Sequence, residues 1–123
     1  MPRREIPLRL ADIRLALDAI GAYTAGFTFE QFAADRRTVD AVVRNLTIIG
    51  EASARLPEEF CARHSAIPWT EMRILRNFLV HEYFGVSDRI IWDTVIHNLP
   101  PVQAALADLP GAAARPGRQG ASS

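Results

Sequence analysis

The feature that most constrains this chain is a row of apolar residues near its start. Ile6, Leu10, Ile13, Leu17 and Ile20 recur at alternating spacings of four and three. That rhythm puts all five on one face of a helix and does not fit a strand, whose side chains alternate with a period of two. Rows of the same kind return at Val39, Val42, Leu46 and Ile49, at Trp69, Met72, Leu75 and Leu79, and at Ile91, Val95, Leu99, Val102 and Leu106. No segment alternates as a half-buried strand does, and no internal repeat is visible. The expected fold is therefore all-α, an up-and-down four-helix bundle, with room for an extra short helix and a kinked last helix.

Local signals set the expected boundaries. The first helix is read from about Pro7 to Tyr23. Leu8, Leu15 and Ala22 widen its apolar face, so cover is expected on two sides. Phe27 to Asp35 reads as a loop or short helical turn whose aromatics Phe27, Phe29 and Phe32 plug the core. Thr38 is placed to cap the second helix, with Asp40 in its first turn, and Pro57 ends it. Gly50 lies inside that helix although glycine there costs on the order of 1 kcal/mol relative to alanine, which points to close approach of another helix. Glu58 to Ile67 reads as a polar connection. Pro68 opens a third helix that Gly85 stops, and Ser87 with Asp88 caps a fourth, where Pro100-Pro101 predicts a kink or break.

Composition narrows the function. The 123 residues fit one domain, expected to span 1–109, and 49% apolar with 23% charged residues is ordinary for a globular chain. Residues 110–123 turn to Gly, Ala, Pro, Arg, Gln and Ser and are expected to form a disordered tail. Fourteen basic residues balance fourteen acidic ones, which argues against coating nucleic acid by bulk charge and leaves room for a local patch. Every basic residue is Arg, as a GC-rich genome alone would also produce. A single cysteine, Cys61, cannot form an internal disulfide. With no apolar run near the ~18 residues that span a bilayer and no signal-peptide pattern at Met1-Pro2-Arg3-Arg4, the expected location is cytoplasmic, without a membrane role.

The chemistry concentrates in Arg76-Asn77-Phe78-Leu79-Val80-His81-Glu82-Tyr83. Arginine offers a planar fork of donors that fits phosphate oxygens, and histidine takes and returns a proton near neutrality. On an ideal helix Asn77 and His81 share a face, as do Arg76 and Tyr83, whereas Arg76 and His81 stand about 140° apart. One straight helix does not aim both at the same phosphate unless Arg76 curls round or a second copy faces the first. This hints at a two-fold dimer with a composite cleft.

Taken alone, these residues also have bland readings. His81 could be a structural hydrogen-bonding residue, and Arg76 could pair with Glu51 or Glu82. Glu51 is either a solvated charge or a partner for an arginine near the site. Cys61 and His64 lack a second pair with zinc-like spacing, so no metal site or cofactor is expected. His97 reads as a surface or interface residue, and Trp69 and Trp92 read as packing anchors with N–H partners. Phe78 and Phe84 either bury in a dimer contact or stack on a base.

The run Asp40-Ala41-Val42-Val43-Arg44-Asn45-Leu46-Thr47-Ile48-Ile49-Gly50-Glu51-Ala52, then Ile67-Pro68-Trp69, then Arg76 to Phe84, with Ile91-Trp92 and Leu99-Pro100, resembles the HepT family of HEPN-domain ribonuclease toxins. The resemblance covers about Leu8 to Leu106. It implies a homodimeric helical bundle with a metal-independent endoribonuclease site in a cleft at the dimer interface, acting on RNA. It puts the family's arginine on Arg76, its adjacent polar residue on Asn77 and its histidine on His81, with Glu51 as possible support. It also implies a toxin–antitoxin system in which an MntA-type nucleotidyltransferase silences the toxin by adding AMP to Tyr83, with room for a larger hetero-oligomer. Ile74 departs from the family pattern, which often has a small residue there, so helix packing just before the site is expected to differ. The alternative reading is a catalytically silent helical module that binds a nucleotidyltransferase or its nucleotide.

Overall fold

The computed structural model describes residues 5–81 and 85–109, and every regular element among them is helical. Helix α1 spans Glu5–Thr24, α2 Phe29–Ala34, α3 Arg36–Ala54, α4 Glu58–Arg63 and α5 Trp69–His81. The last helical stretch is α6, Asp88–Asp93, followed by a π-helical turn Thr94–Asn98 and by α7, Leu99–Ala107. The all-α expectation therefore holds. The expected 110–123 tail lies outside the described residues.

The apolar rows of the sequence are the core. Leu10, Ile13, Leu17 and Ile20 of α1 meet Val39, Val42, Leu46 and Ile49 of α3, and all eight are buried. α3 is the central helix, with α1 on one side and α5 on the other, and α7 packs back on α1. Phe32 is fully buried and Phe27 and Phe29 pack against the core, as expected of plugs. Trp92 stacks on Phe32 with ring centroids 5.1 Å apart, while the Trp69 Nε1–H donates to the His64 carbonyl at 3.0 Å.

Several boundaries differ from the sequence reading. Phe29–Ala34 is a short helix, closed at its start by Thr28 and Gln31, each side chain accepting the other's backbone N–H. The cap of α3 is Asp35 rather than Thr38. Its carboxylate accepts the Thr38 N–H at 3.1 Å, and this backbone donor holds the Asp35 carboxyl below the usual aspartate value. The helix thus starts two residues before Thr38, at Arg36. Glu58 to Arg63, read as a polar connection, folds into α4 and buries Phe60 and Cys61. Cover on two sides of α1 is not found, since Leu8 and Leu15 are 63% and 65% exposed. Their side of α1 faces away from α3 and α7.

The interruption expected at Pro100-Pro101 takes the form of the π-helical turn Thr94–Asn98, which separates α6 from α7 just before the two prolines. Both prolines fall in the first turn of α7, where missing N–H donors cost least. The wide turn before them closes with the Leu99 N–H donating to the Thr94 carbonyl, five residues back.

Candidate functional site

Helix α5 carries the residues singled out by their chemistry, and it leans chiefly on α3. Its start lies where α3 ends, because Phe60, six residues past the end of α3, packs on Trp69 with centroids 6.1 Å apart. α5 therefore runs back antiparallel along α3. The crossing is closest at Gly50. A Cβ built there would collide with the Arg76 Cβ, lie 2.8 Å from its Cγ and lie 2.9 Å from the Met72 carbonyl oxygen. The glycine is thus a notch that admits the stem of Arg76.

The next residue of α3 receives the head of that arginine. Arg76 Nη1 lies 3.7 Å from the Glu51 carboxylate, with the arginine side chain 22% exposed and the glutamate 46% exposed. Of the readings left open for Glu51, the arginine partner is the one observed. The Arg76 Nε is buried and has no hydrogen-bond partner. The Nη end of the guanidinium lies at the edge of the seam, beside Glu51, and it is this end that could donate to an incoming phosphate oxygen.

Asn77 and His81 lie one turn apart on the exposed face of α5, and no hydrogen bond or ion pair engages either among the described residues. Arg76 points into the α3 seam while His81 points outward, as the 140° separation predicts. Within one protomer Arg76 and His81 therefore face different ways. Ile74 and Phe78, each 50% exposed, continue the outward arc beyond Asn77 and His81. Ile74 therefore does not alter packing against α3, contrary to the expectation raised by its size; it enlarges an apolar face on the outside. Tyr83, with Glu82 and Phe84, lies outside the described residues.

Other features take no part. A half-open cleft of about 350 Å³, with Leu46, Ile49, Met72, Leu75, Leu99 and Val102 among its walls, includes none of Arg76, Asn77 and His81. No group of three metal-ligating side chains occurs among the described residues. Burial raises the Cys61 thiol pKa, against the opposing effect of Arg73. His97 is exposed, as expected. No helix among the described residues is long and apolar enough to cross a membrane.

The chain thus presents an all-helical core with an arginine notched into one seam and an exposed histidine five residues on. The family model described as "HepT-like: Ribonuclease HepT-like" matches residues 13–109, and the chain belongs to that family. It is 42% identical over 100 residues to the "Probable ribonuclease HepT" of Thermococcus cleftensis, covering 81% of this chain and 91% of that one. It is 41% identical over 100 residues to "Putative RNase MJ0127" of Methanocaldococcus jannaschii, covering 81% and 83%. A third relative, "Putative RNase TTE0752" of Caldanaerobacter subterraneus, is 44% identical over 84 residues, covering 68% of this chain and 75% of its own. No solved structure matches the chain.

Proposed function

We propose that this protein is a metal-independent endoribonuclease that acts as a homodimer. The observation that carries the reading is Arg76, notched against Gly50 with its head beside Glu51, five residues before an exposed His81 on the same helix. Membership in the ribonuclease HepT-like family and relatives named as RNases support the choice of RNA as substrate. RNA supplies its own nucleophile, so the protein need only move protons, offset charge and hold geometry.

In this mechanism His81 accepts the 2′-hydroxyl proton as that oxygen attacks the adjacent phosphorus, and a proton returns to the departing 5′-oxygen. Arg76 binds the non-bridging oxygens and offsets the charge that grows on them, an effect often worth about 3 kcal/mol. Asn77 orients His81 or donates to the phosphate. The products are a 2′,3′-cyclic phosphate and a 5′-hydroxyl.

The dimer follows from α5 having one principal neighbour. Around that helix the α3 seam gives way to Asn77 and His81, and these to Ile74 and Phe78. A two-fold contact over Ile74 and Phe78 covers the apolar face and brings the two histidine rims together in one cleft. Phe78 is thereby assigned to burial rather than base stacking.

Regulation is read from the family resemblance. A nucleotidyltransferase antitoxin of the MntA type transfers AMP to Tyr83, and the added bulk and phosphate charge compete with RNA. The toxin–antitoxin pair acts in the cytoplasm, and the antitoxin can join a larger assembly with the dimer.

The test is cleavage of total cellular RNA by wild type and by His81→Ala in chelator, with end-group analysis. Cleavage lost in the variant, with cyclic phosphate ends from the wild type, is expected. The Arg76–Glu51 ion pair also suits a catalytically silent module that binds a nucleotidyltransferase or nucleotide. A wild type free of added AMP that leaves RNA intact selects that reading.

A further inference from the structure

We propose that the RNA backbone runs along the seam between α3 and α5, gripped by Arg44, Arg55 and Arg73. This inference rests on the ribonuclease reading. It begins from how the arginines are partnered. Arg9, Arg36, Arg63, Arg76 and Arg89 each lie within ion-pair distance of a carboxylate, Arg14 has contacts of its own, and Arg37 stands beside Asp35. Arg44, Arg55 and Arg73 have no carboxylate within ion-pair distance among the described residues.

These three open to one side of the molecule. Arg44 precedes Glu51 by seven residues and Arg55 follows it by four, so the three form a row along α3. Arg73 precedes Asn77 by four and shares its face of α5. Where antiparallel helices meet, the residue after each contact point turns to the same side of the seam. Glu51 follows Gly50 and Asn77 follows Arg76, so both rows border the same groove. The observed Glu51–Arg76 contact lies in that groove.

The levels also agree. The Gly50 notch sits between Met72 and Arg76, so six residues back along α3 and about six forward along α5 put Arg44 level with His81. Arg73 lies level with the notch and Arg55 marks the other end, with Arg44 and Arg55 about 16 Å apart along the helix axis. Between them Glu51 is already engaged by Arg76. Asp40, one turn beyond Arg44, has contacts of its own. Arg73, half-buried, also donates to the Thr70 hydroxyl at 3.4 Å and lies beside the Cys61 thiol of α4. The result is a positive track several nucleotides long with Arg76 inside it, on a chain whose net charge is zero. Such a track binds phosphates without reading bases.

The experiment measures kcat and KM for a long single-stranded RNA across a salt series, with wild type, the double variant R44S/R55S, the Arg→Lys double and R63S, whose arginine pairs on α4. Thermal melts verify that each is folded. The serine double is expected to raise KM about tenfold and to flatten the salt dependence of log KM by roughly 0.7 per lost contact, with kcat far less affected. The lysine double recovers most of the affinity because each contact needs a charge rather than a fork, and R63S behaves as wild type. A wild type that cleaves, with KM and salt slope the same in the serine double, overturns the track alone. A wild type free of added AMP that cleaves no RNA overturns the ribonuclease reading and the track with it.

Discussion

Gly50 on α3 occupies the point where the stem of Arg76 on α5 crosses, leaving no space for a side chain between them. Packing and chemistry thus converge on one backbone position. Substituting alanine there gains about 1 kcal/mol of helix propensity, but the new methyl meets Arg76 and a Met72 carbonyl that belongs to helix backbone. Overpacking usually costs about 1–3 kcal/mol, so after the propensity gain Gly50→Ala is expected to lose up to about 2 kcal/mol net, and to lower kcat by moving Arg76. Urea unfolding and RNA cleavage of the same sample check both.

Glu51→Gln separates aim from stability. The pair is partly exposed at 3.7 Å, so its loss is expected to change unfolding free energy by less than about 1 kcal/mol. Cleavage is expected to fall severalfold, because Arg76 loses the carboxylate that fixes its head. Equal loss of stability and activity would instead make Glu51 a structural residue.

Charge on the outer face of α5 tests the dimer. Ile74→Asp with Phe78→Asp places like charges across the proposed two-fold contact, at side chains half exposed in one protomer. Light scattering is expected to find monomers that retain helical circular dichroism and have lost at least tenfold in cleavage. Dimers that persist would place the interface elsewhere.

Tyr83→Phe is expected to cleave RNA like wild type and to gain no AMP mass when incubated with its nucleotidyltransferase and ATP. Intact mass spectrometry reads this directly, and unchanged mass gain would move the modified residue.

The Asp35 cap gives a pH dependence of known sign. Its carboxyl is held below the usual value by the Thr38 N–H, so the folded state binds its proton less readily than the unfolded chain. The contribution is present above the unfolded aspartate value and is lost as pH falls through the lowered one. Asp35→Asn keeps an acceptor for Thr38 and is expected to flatten the acid limb of a stability profile, measured by thermal melts between pH 2 and 6.

What could be read before folding was whatever repeats over several turns. The long rows of α1 and α3 announced themselves because each repeats apolar residues at helical spacing over three turns or more. Gly50 was legible as an approach point because it breaks propensity inside such a row. α2 and α4 are six residues each, too short for periodicity to separate them from loops, and their signals were caps and buried aromatics. Asp35 and Thr38 are both residue types that cap well, and only backbone geometry makes Asp35 the cap of α3. Glu51 stayed undecided for a similar reason: its partner is 25 positions away in the chain, and no local pattern encodes that pairing. The bare outer sides of α1 and α5 were equally hidden, since an apolar residue does not say whether its own chain will cover it.

The π-helical turn at Thr94–Asn98 is a one-residue insertion kept within a continuous helix. Ile91, Val95 and Leu99 follow each other at fours, a spacing that drifts about 40° per step around an α-helix. The wider turn absorbs that drift and returns Leu99, Val102 and Leu106 to the core, where all three are buried. Deleting one residue there would leave a smoother helix and a worse protein, with α7 rotated by about 100° and its apolar row facing water. Chain length in this segment is therefore fixed by phase, even where residue identity is free to drift.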